Sequence, residues 1–369
     1  MRNFYSIFTN TKSNELVKPN GQIPYTLYNK FKYNSTIVTY DYGEKYNMQE
    51  INGVKIEFLK KIFGKPIIDG SLFIMKNAKK IDILHTFHWK KENYLWFTLY
   101  KLLNPKGKIY LTLDSDERVK NQPVKKGVTS IFRTAILKKC DLVSVETKDM
   151  CEWFQKNWYS GIKYVPYGVL TSDYEIEYNN KENTIITVGR IGTHQKATEI
   201  LMDAYKKIYK EIPNWNVRVI GPIEAEFIKE IDKFYKEDSN LKDKIQFIGP
   251  IYDREKLMLE FEKAKIFCLT SRYESFGLVL SEAGSRGNYI ISTNLAPSRD
   301  LTDGEQYGTL FEIDNANELA EKLRTICLHE ETLRDNCKNI QNFINKNFSW
   351  EAVCKKALEY LGEEIKYED

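Results

Sequence analysis

The alternation of short apolar runs with longer amphipathic runs constrains this 369-residue chain more than any other feature. Runs such as IDILHTF and AKIFCLT have the length of buried strands, and stretches such as Lys91–Leu103 and Ala197–Tyr209 between them have helical periodicity. Such alternation is typical of a parallel sheet with helices on both faces. Because the pattern occurs twice, we predict an α/β protein with two doubly wound domains.

A polar segment with weak periodicity, Thr171–Asn183, separates the two halves and is typical of a linker. We therefore expect an N-terminal domain over residues 1–176 and a C-terminal domain over residues 177–348. In the last segment, 349–369, a helix should start at Ser349 and pack back on the N-terminal domain. Open α/β sheets bind ligands beyond the carboxyl ends of their strands, so functional motifs should follow strands and line a cleft between the two sheets.

The composition excludes several classes of protein. No run approaches the roughly 18 to 20 apolar residues that a membrane-spanning helix needs. The first residues lack the basic, apolar and small-residue regions of a signal peptide. The six cysteines are scattered without a CxxC pair, which argues against a zinc site or a disulfide framework and fits a reducing cytoplasm. We expect a cytoplasmic protein.

The charge is distributed unevenly between the halves. Residues 1–177 carry 28 lysines and arginines against 18 aspartates and glutamates, whereas residues 178–369 carry 27 against 33. The basic half is either a solvated surface or a region that meets an anionic membrane or a phosphorylated acceptor. Nucleic acid is not an expected partner, because the sequence has no finger, basic-zipper or RNP-like pattern.

The first motif is a glycine turn between a predicted strand and a predicted helix. The strand TIITVG ends at Gly189, and Arg190, Gly192 and Lys196 follow before the helix begins. Backbone N–H groups at a helix N-terminus and two nearby cations favour the binding of a phosphate group. The alternative is an ordinary strand–helix turn with two surface cations, since neither the GxGxxG nor the P-loop spacing is present.

The second motif is TSRYESFGLVLSEA, which follows the apolar run AKIFCLT. Ser275 is a candidate cap for a helix that starts near Gly277. Glu274 precedes this helix. Glu282 lies eight residues after Glu274, a separation of roughly 12 Å along a helix. A diphosphate on the first-turn N–H groups would have one carboxylate on each side, as a sugar–diphosphate–ribose ligand requires. The alternative is a helix whose N-terminal acid only complements the helix dipole.

The two motifs together resemble those of the retaining glycosyltransferases of family 4, which have the GT-B fold of two Rossmann-like domains facing across a cleft. The resemblance rests on an E-x7-E element that begins ESFGL, about 80 residues after a VGR…K turn, and it extends from Thr184 to Leu361. The first half resembles the family mainly in its architecture. Where the family usually has Lys-Gly, this chain has Lys196 followed by Ala197.

The resemblance implies a role for each matching residue of the second half. Arg190 and Lys196 would bind the donor diphosphate, Glu274 would contact the donor sugar, and Glu282 would bind the ribose. Further donor contacts would come from Gly189, Ile251, Phe276, Gly277, Leu278 and Val279.

In the first half, four residues occupy positions that the resemblance associates with substrates. Gly21 lies in a segment similar to the family's glycine loop, although the usual double glycine is single here. His85 and His88 follow the run IDIL and would lie on the acceptor side, or they are structural. Asp114 stands where many members carry a histidine and would contact a hydroxyl of the donor or the acceptor.

Several other interpretations of these motifs stay open. The triplet Asp114-Ser-Asp116 follows an apolar strand, and a DxD triplet binds Mg²⁺ or Mn²⁺ in the other glycosyltransferase fold. A nucleotide-sugar epimerase and a non-catalytic sugar-nucleotide binding protein would use the same donor site. An NAD enzyme is disfavoured because GxGxxG is missing.

The resemblance thus implies transfer of a hexose-type sugar, with retention, from a nucleotide-diphosphate sugar. We expect a UDP-sugar rather than a GDP-sugar, and neither a metal nor another cofactor. The expected acceptor is a cell-surface glycan or a lipid-linked glycan, and a protein acceptor is the alternative. The basic N-terminal domain would contact the inner face of an anionic membrane.

Overall fold

The computed structural model describes residues 1–124, 127–171 and 175–367, with the side chain of Glu50 left aside. The chain divides into two compact units, unit 1 with Met1–Gly168 and Trp350–Asp369, and unit 2 with Val169–Ser349. Part of the predicted linker, residues 172–174, lies outside the described residues. The predicted domain boundaries, at residues 176 and 348, stay predictions.

Unit 1 begins with a strand and alternates strands with helices. The strands are β1 (Arg2–Ile7), β2 (Tyr33–Thr39), β3 (Lys55–Phe58), β4 (Ile83–Phe87), β5 (Lys108–Thr112), β6 (Leu142–Val145) and β7 (Lys163–Tyr164). The helices are α1 (Pro19–Phe31), α2 (Pro66–Asn77), α3 (Glu92–Leu103), α4 (Val128–Leu137) and α5 (Lys148–Asn157). Among the described residues the strands form one seven-stranded sheet in the order β3-β2-β1-β4-β5-β6-β7, and all neighbours are parallel.

Unit 2 repeats this alternation. Its strands are β8 (Glu182–Val188), β9 (Asn216–Ile220), β10 (Ile245–Gly249), β11 (Ala264–Leu269), β12 (Tyr289–Thr293) and β13 (Gly308–Phe311). Its helices are α6 (Thr198–Ile208), α7 (Phe227–Glu237), α8 (Arg254–Lys263), α9 (Leu278–Ser285), α10 (Ala296–Leu301), α11 (Ala316–Leu328) and α12 (Glu330–Phe348). In the described part of this unit the strands form a six-stranded parallel sheet in the order β10-β9-β8-β11-β12-β13. The final helix, α13 (Trp350–Tyr360), belongs to unit 1 and contacts α1.

The predicted class, two doubly wound α/β units, is confirmed. In each sheet the strand order reverses between the first and the fourth strand of the unit, that is, between β1 and β4 and between β8 and β11. Open α/β sheets bind ligands at such a reversal, beyond the carboxyl ends of the two strands. The segments that follow β1, β4, β8 and β11 are therefore the places where each unit can hold a ligand.

The core explains why the strands are recognisable in the sequence. All six residues of β11 and all five of β12 are buried, because helices cover both faces of the sheet. On α6, the buried side chains of Leu201, Tyr205 and Ile208 recur at helical spacing and join the core of unit 2. Each fully buried side chain of this size contributes about 1.5–3 kcal/mol through the hydrophobic effect.

Three local predictions were wrong. Gly21 lies in the first turn of α1, not in a loop, and a Cβ there would approach the Leu16 carbonyl oxygen to 2.1 Å. Ser275 does not cap α9, because the capping position is Gly277, with a left-handed φ of 70°. The run IKYVPY, whose apolar and aromatic residues predict a strand, forms one only over Lys163–Tyr164, since Pro166 has no N–H group to donate to a neighbouring strand.

One glycine controls the approach of β9 to the turn after β8. Gly221 follows β9 with a φ of 142°, and a Cβ at this position would lie 1.7 Å from the carbonyl oxygen of Gly189. We predict that Gly221→Ala lowers the thermal unfolding midpoint clearly more than Gly249→Ala does. Gly249, with a φ of 80°, has no atom within 4 Å of the added Cβ, so its variant costs only the left-handed strain of about 1–2 kcal/mol. Circular dichroism on heating measures both, and equal midpoints would contradict the close approach.

Candidate active site

The turn after β8 carries two cations of different exposure. Arg190 is exposed, and its Nη2 donates a hydrogen bond to Oε1 of Gln195 at 2.5 Å. Lys196 is mostly buried, and its Nζ forms an ion pair with Oε1 of Glu274 at 2.5 Å. Ala197, at the position of the family's glycine, has a left-handed φ of 46°. This conformation is one that glycine adopts freely and alanine rarely does.

Glu274 lies in the turn after β11 and organises the ion pair. Its side chain is only 9% exposed, and Oε1 also accepts a hydrogen bond from Ser271 Oγ at 2.7 Å. The Lys196 ammonium and the Glu274 carboxylate balance each other's charge in a partly desolvated place. Removing one member would leave the other uncompensated, which is costly for a buried group.

Hydrogen bonds join the turn after β8 to the turn after β11. Arg272 donates its backbone N–H to the Gln195 carbonyl oxygen at 2.8 Å, and Gln195 Nε2 donates to the Tyr273 carbonyl oxygen at 3.0 Å. Thr270 Oγ1 donates to the Lys196 carbonyl oxygen at 2.8 Å. The sequence did not predict these partners, because they lie more than 70 residues apart and meet only because β8 and β11 are neighbours.

The first turn of α9, which follows Glu274 closely in sequence, offers backbone N–H groups. No side chain caps the helix, and the Gly277 carbonyl oxygen accepts from the N–H of Leu280. The N–H groups of Leu278 and Val279, at the start of the helix, have no acceptor within it, since the first N–H groups of an α-helix never do. Together with the helix dipole they favour an anion. Phe276, just before this turn, is buried.

Glu282 lies on α9 beside a cation that the sequence did not predict. Its Oε1 accepts a hydrogen bond from Arg254 Nη2 at 3.0 Å. Burial raises the pKa of Glu282, and Arg254 partly opposes this shift. A carboxylate has about four acceptor positions, so Glu282 can hold Arg254 and still accept from hydroxyl groups. Ile251, half-buried, follows β10 at the same edge of the sheet.

In unit 1, His88 and Asp114 follow the neighbouring strands β4 and β5. Both have left-handed φ angles, 62° and 50°, which are uncommon for residues other than glycine. The Nδ1 atom of His88 lies 3.8 Å from Oδ2 of Asp114. Strained backbone of this kind is often retained where it aims side chains at a ligand.

His85 is a residue of the core. It lies within β4, fully buried, with Nδ1 3.0 Å from Ser6 Oγ and Nε2 3.1 Å from Thr112 Oγ1. Burial lowers the pKa of His85 to about 3, so the ring is neutral at physiological pH. Both ring nitrogens are occupied and no face is exposed. We therefore remove His85 from the acceptor-side residues.

A buried carboxyl group, Glu146, lies behind Asp114 and was not singled out in the sequence, where it ends the apolar run DLVSVE. Its Oε1 accepts from the Ser115 backbone N–H at 2.6 Å, and its Oε2 has no hydrogen-bond partner among the described residues. Burial, and next the charge of Asp114, raise the pKa of Glu146 well above its usual range. Glu146 therefore keeps its proton to a higher pH than an exposed glutamate does.

The DxD interpretation gains no support from the side chains. Asp116 forms an ion pair with Arg118 at 2.7 Å and accepts from the Arg118 backbone N–H. Over residues 1–124, 127–171 and 175–367, no group of three or more His, Cys, Asp or Glu side chains is arranged to hold a metal ion. Within the same residues, no helix combines the length and the apolar character needed to cross a membrane.

The raised pKa of Glu146 predicts a pH dependence of stability. Unfolded Glu146 ionises near pH 4.3, whereas the folded protein keeps the proton to higher pH. The free energy of unfolding therefore falls as pH rises from about 4.3 toward the folded pKa, by at most about 1.4 kcal/mol per pH unit. We predict that between pH 5 and pH 8 the wild type loses more of its unfolding midpoint than Glu146→Gln does.

Tryptophan fluorescence on heating suits this measurement, because five of the six tryptophans lie in unit 1. The matched control is Glu152→Gln, an exposed glutamate of α5, which should follow the wild type. A Glu146→Gln variant with the same pH dependence as the wild type would show that Glu146 is ionised in the folded protein.

Comparison with known proteins finds similarity to glycosyltransferases. Residues 172–343 match the family Glycosyl transferases group 1. A phosphatidyl-myo-inositol mannosyltransferase of Mycobacterium tuberculosis is 26% identical over 187 residues, 49% of this chain and 47% of that protein. An N-acetylgalactosaminyltransferase of Campylobacter jejuni, named for a diphospho-undecaprenol substrate, is 28% identical over 182 residues, again 49% and 47%. These matches span about half the length of the curated relatives.

Solved structures match over nearly the whole chain. Sucrose-phosphate synthase from Thermosynechococcus elongatus superposes with a TM-score of 0.72 at 20% identity, covering 97% of this chain and 98% of the other. Anabaena HepE in complex with UDP superposes with a TM-score of 0.75 at 14% identity, covering 98% and 100%. At these identities the likeness concerns the fold, and the GT-B class predicted from the sequence is confirmed. Residues 172–343 thus match the Glycosyl transferases group 1 model, within a chain whose fold is GT-B.

Proposed function

We propose that this protein is a retaining glycosyltransferase of family 4. It transfers a hexose-type sugar from a nucleotide-diphosphate sugar to a glycan or lipid-linked acceptor. The expected donor is a UDP-sugar rather than a GDP-sugar. The observation that carries the proposal is the Lys196–Glu274 ion pair at the carboxyl ends of β8 and β11, where the order of strands in unit 2 reverses. The names of the two bacterial relatives support a lipid-linked acceptor, and the UDP complex of HepE supports the donor class.

The donor diphosphate would be held by cations and by the start of α9. Arg190 is exposed and can turn its guanidinium from Gln195 to phosphate oxygens. Lys196 already has its ammonium group fixed by Glu274, so a phosphate gains a preorganised contact with little loss of side-chain entropy. The N–H groups of Leu278 and Val279 complete the site. Gly189, which packs against the Lys196 side chain, leaves room for the phosphates.

The rest of the donor would lie on either side of the diphosphate. Glu274, through its second oxygen, would accept a hydrogen bond from a sugar hydroxyl, near the amides of Phe276 and Gly277. Glu282 would accept from the ribose hydroxyls while keeping Arg254. The base would lie against Ile251, after β10.

The reaction breaks the bond between the anomeric carbon and a diphosphate oxygen. Negative charge grows on the diphosphate as the bond stretches, so Arg190, Lys196 and the α9 amides stabilise the transition state more than the ground state. The acceptor hydroxyl oxygen bonds to the anomeric carbon on the face that the diphosphate leaves, and its proton passes to the departing diphosphate oxygen. His88 and Asp114 are assigned to substrate hydroxyls, and Gly21 is not, because its N–H donates to the Lys18 carbonyl oxygen within the first turn of α1.

The proposal is tested by transfer from UDP-glucose, UDP-galactose, UDP-N-acetylglucosamine and GDP-mannose to an undecaprenyl-diphosphate-linked sugar. Mass spectrometry of the lipid product, in assays with and without acceptor, separates transfer from epimerisation, which changes the donor alone. Protein acceptors form a second arm. Activity in EDTA is expected, and loss of activity restored by Mn²⁺ would favour the Asp114–Asp116 interpretation. Absence of transfer together with absence of donor binding would contradict the proposal.

We predict that Arg190→Ala and Lys196→Gln each reduce kcat/KM about a hundredfold, since one charge-assisted contact to a developing anion is worth on the order of 3 kcal/mol. The matched control is Lys236→Ala, an exposed lysine on α7, which should keep wild-type activity. Because Lys196 has a mostly buried partner, its variant is first checked for a normal unfolding midpoint. Wild-type kcat/KM in both variants would contradict the binding of the donor diphosphate at this turn.

The two glutamates are separated by calorimetric titration with UDP, which has a ribose but no hexose. We predict that Glu282→Gln weakens UDP binding about tenfold or more, because hydrogen bonds to a charged group are worth about 1.5–3 kcal/mol. Glu274→Gln should bind UDP at least as tightly as the wild type, since Lys196 loses its competing carboxylate, while kcat falls. The reverse pattern would mean that the donor lies in the opposite direction along α9.

A further inference from the structure

Unit 1 contains a cavity that shares no lining residue with the proposed donor site of unit 2. Its volume is about 360 Å³, within the range of small-ligand sites. Four aromatic rings line it, those of Trp89, Tyr94, Trp153 and Trp158. The Trp89 ring meets those of Tyr94 and Trp158 edge to face, at centroid distances of 5.2 and 6.4 Å. The aromatic part of the lining is thus large and rigid.

The cavity lies at the edge of the sheet where unit 1 can hold a ligand. Trp89, Lys90 and Lys91 follow the carboxyl end of β4, and Val119 and Gln122, which also line the cavity, come after β5. These are the segments after His88 and Asp114. The position is therefore that of a substrate site in an open α/β sheet.

The lining of the cavity includes a buried guanidinium group that has no anionic partner among the described residues. Arg133 of α4 is 4% exposed and lies 4.2 Å from the centre of the Trp158 ring. Its Nη2 reaches the Asn157 carbonyl oxygen only at 3.5 Å, and its Nε has no hydrogen-bond partner among the described residues. Within those residues Arg133 forms no ion pair, and burial lowers its pKa.

A buried cation in this state is costly, and a bound anion would remove the cost. An unsatisfied buried donor costs about 1–3 kcal/mol, and more when it is charged. Lys90 and Lys91 add positive charge to the lining, and no aspartate or glutamate lines the cavity in the described part of the chain. The contact with Trp158 offsets part of the cost but leaves Nε without a hydrogen-bond partner in the described part of the chain.

We propose that this cavity binds an anionic saccharide, a sugar unit with a phosphate or carboxylate group. The carboxylate or phosphate pairs with Arg133, which presents N–H groups in a geometry matched to such oxygens, and the sugar ring lies against the indole and phenol faces. That this saccharide is part of the acceptor rests on the proposed function. The binding itself does not, and it requires no donor.

The probes are glucose 6-phosphate and glucuronate, with glucose and inorganic phosphate as comparisons, titrated into the full chain without donor. Three of the six tryptophans line the cavity, so tryptophan fluorescence reports binding directly. Both anionic sugars should give a saturable change. Glucose and inorganic phosphate should bind about tenfold more weakly or worse, a difference of about 1.4 kcal/mol or more.

Two variants test the cation, and one controls for net charge. Arg133→Gln should weaken binding of glucose 6-phosphate about tenfold or more. Lys91→Gln, at an exposed position, should weaken it by a smaller factor and tests the charge if the buried variant fails to fold. Lys55→Gln removes one charge from the exposed β3 strand at the far edge of the same sheet and should bind normally.

Each outcome decides a separate point. Equal binding of glucose, or equal binding of inorganic phosphate, would overturn the anionic saccharide as the ligand. Unchanged binding in both Arg133→Gln and Lys91→Gln, or no binding of either anionic sugar, would overturn the site itself. Binding of glucose 6-phosphate by a protein that binds no nucleotide would uphold the cavity and contradict the proposed function.

Discussion

The Lys196–Glu274 ion pair exists because β8 and β11 are neighbours in one parallel sheet. The two residues are 78 positions apart, and their turns meet only where the strand order of unit 2 reverses. Hydrogen bonds from Thr270 and Gln195 hold the turns together around the pair. The carboxylate fixes the position of the ammonium group, and the sheet fixes the position of both.

A preformed ion pair has a consequence for binding. Without a ligand, Glu274 neutralises Lys196 and keeps the mostly buried site from carrying a net charge. A diphosphate would bring additional negative charge, which the exposed Arg190 and the N-terminal end of α9 can balance. The same reasoning distinguishes the cavity in unit 1, where Arg133 is buried without such a carboxylate among the described residues. The proposed anionic ligand would supply the balancing charge there.

Much of the fold could be predicted from the sequence, because strands buried on both faces appear as continuous apolar runs and helices as periodic ones. The helix predicted over Ala197–Tyr209 is observed over Thr198–Ile208. The helix Pro66–Asn77 was not predicted. It contains Gly70, and glycine weakens a helix. Only the structure shows why a glycine is needed there, because the Trp96 ring occupies the space of a side chain. Tertiary contacts of this kind leave no local signal.

For the candidate site, the sequence identified the residues on motifs but not their partners. Arg190, Lys196, Glu274 and Glu282 were found through their spacing, and their roles stay predictions. Ser271 and Arg254 were missed, because the hydrogen bond of the first and the ion pair of the second depend on how the elements pack. Arg133 resembled a surface cation of an amphipathic helix, and only its burial distinguishes it.

Calorimetric titration of the wild type with UDP, UMP and uridine tests most directly whether the turns after β8 and β11 bind a diphosphate. If Arg190, Lys196 and the α9 amides hold both phosphates, affinity should rise steeply from uridine to UMP to UDP and should weaken with added salt. If the guanosine or adenosine series shows this stepwise rise in affinity instead, the preferred base is different but the diphosphate site is supported. Equal affinity for uridine and UDP, or no binding of any nucleoside diphosphate, would contradict the assignment.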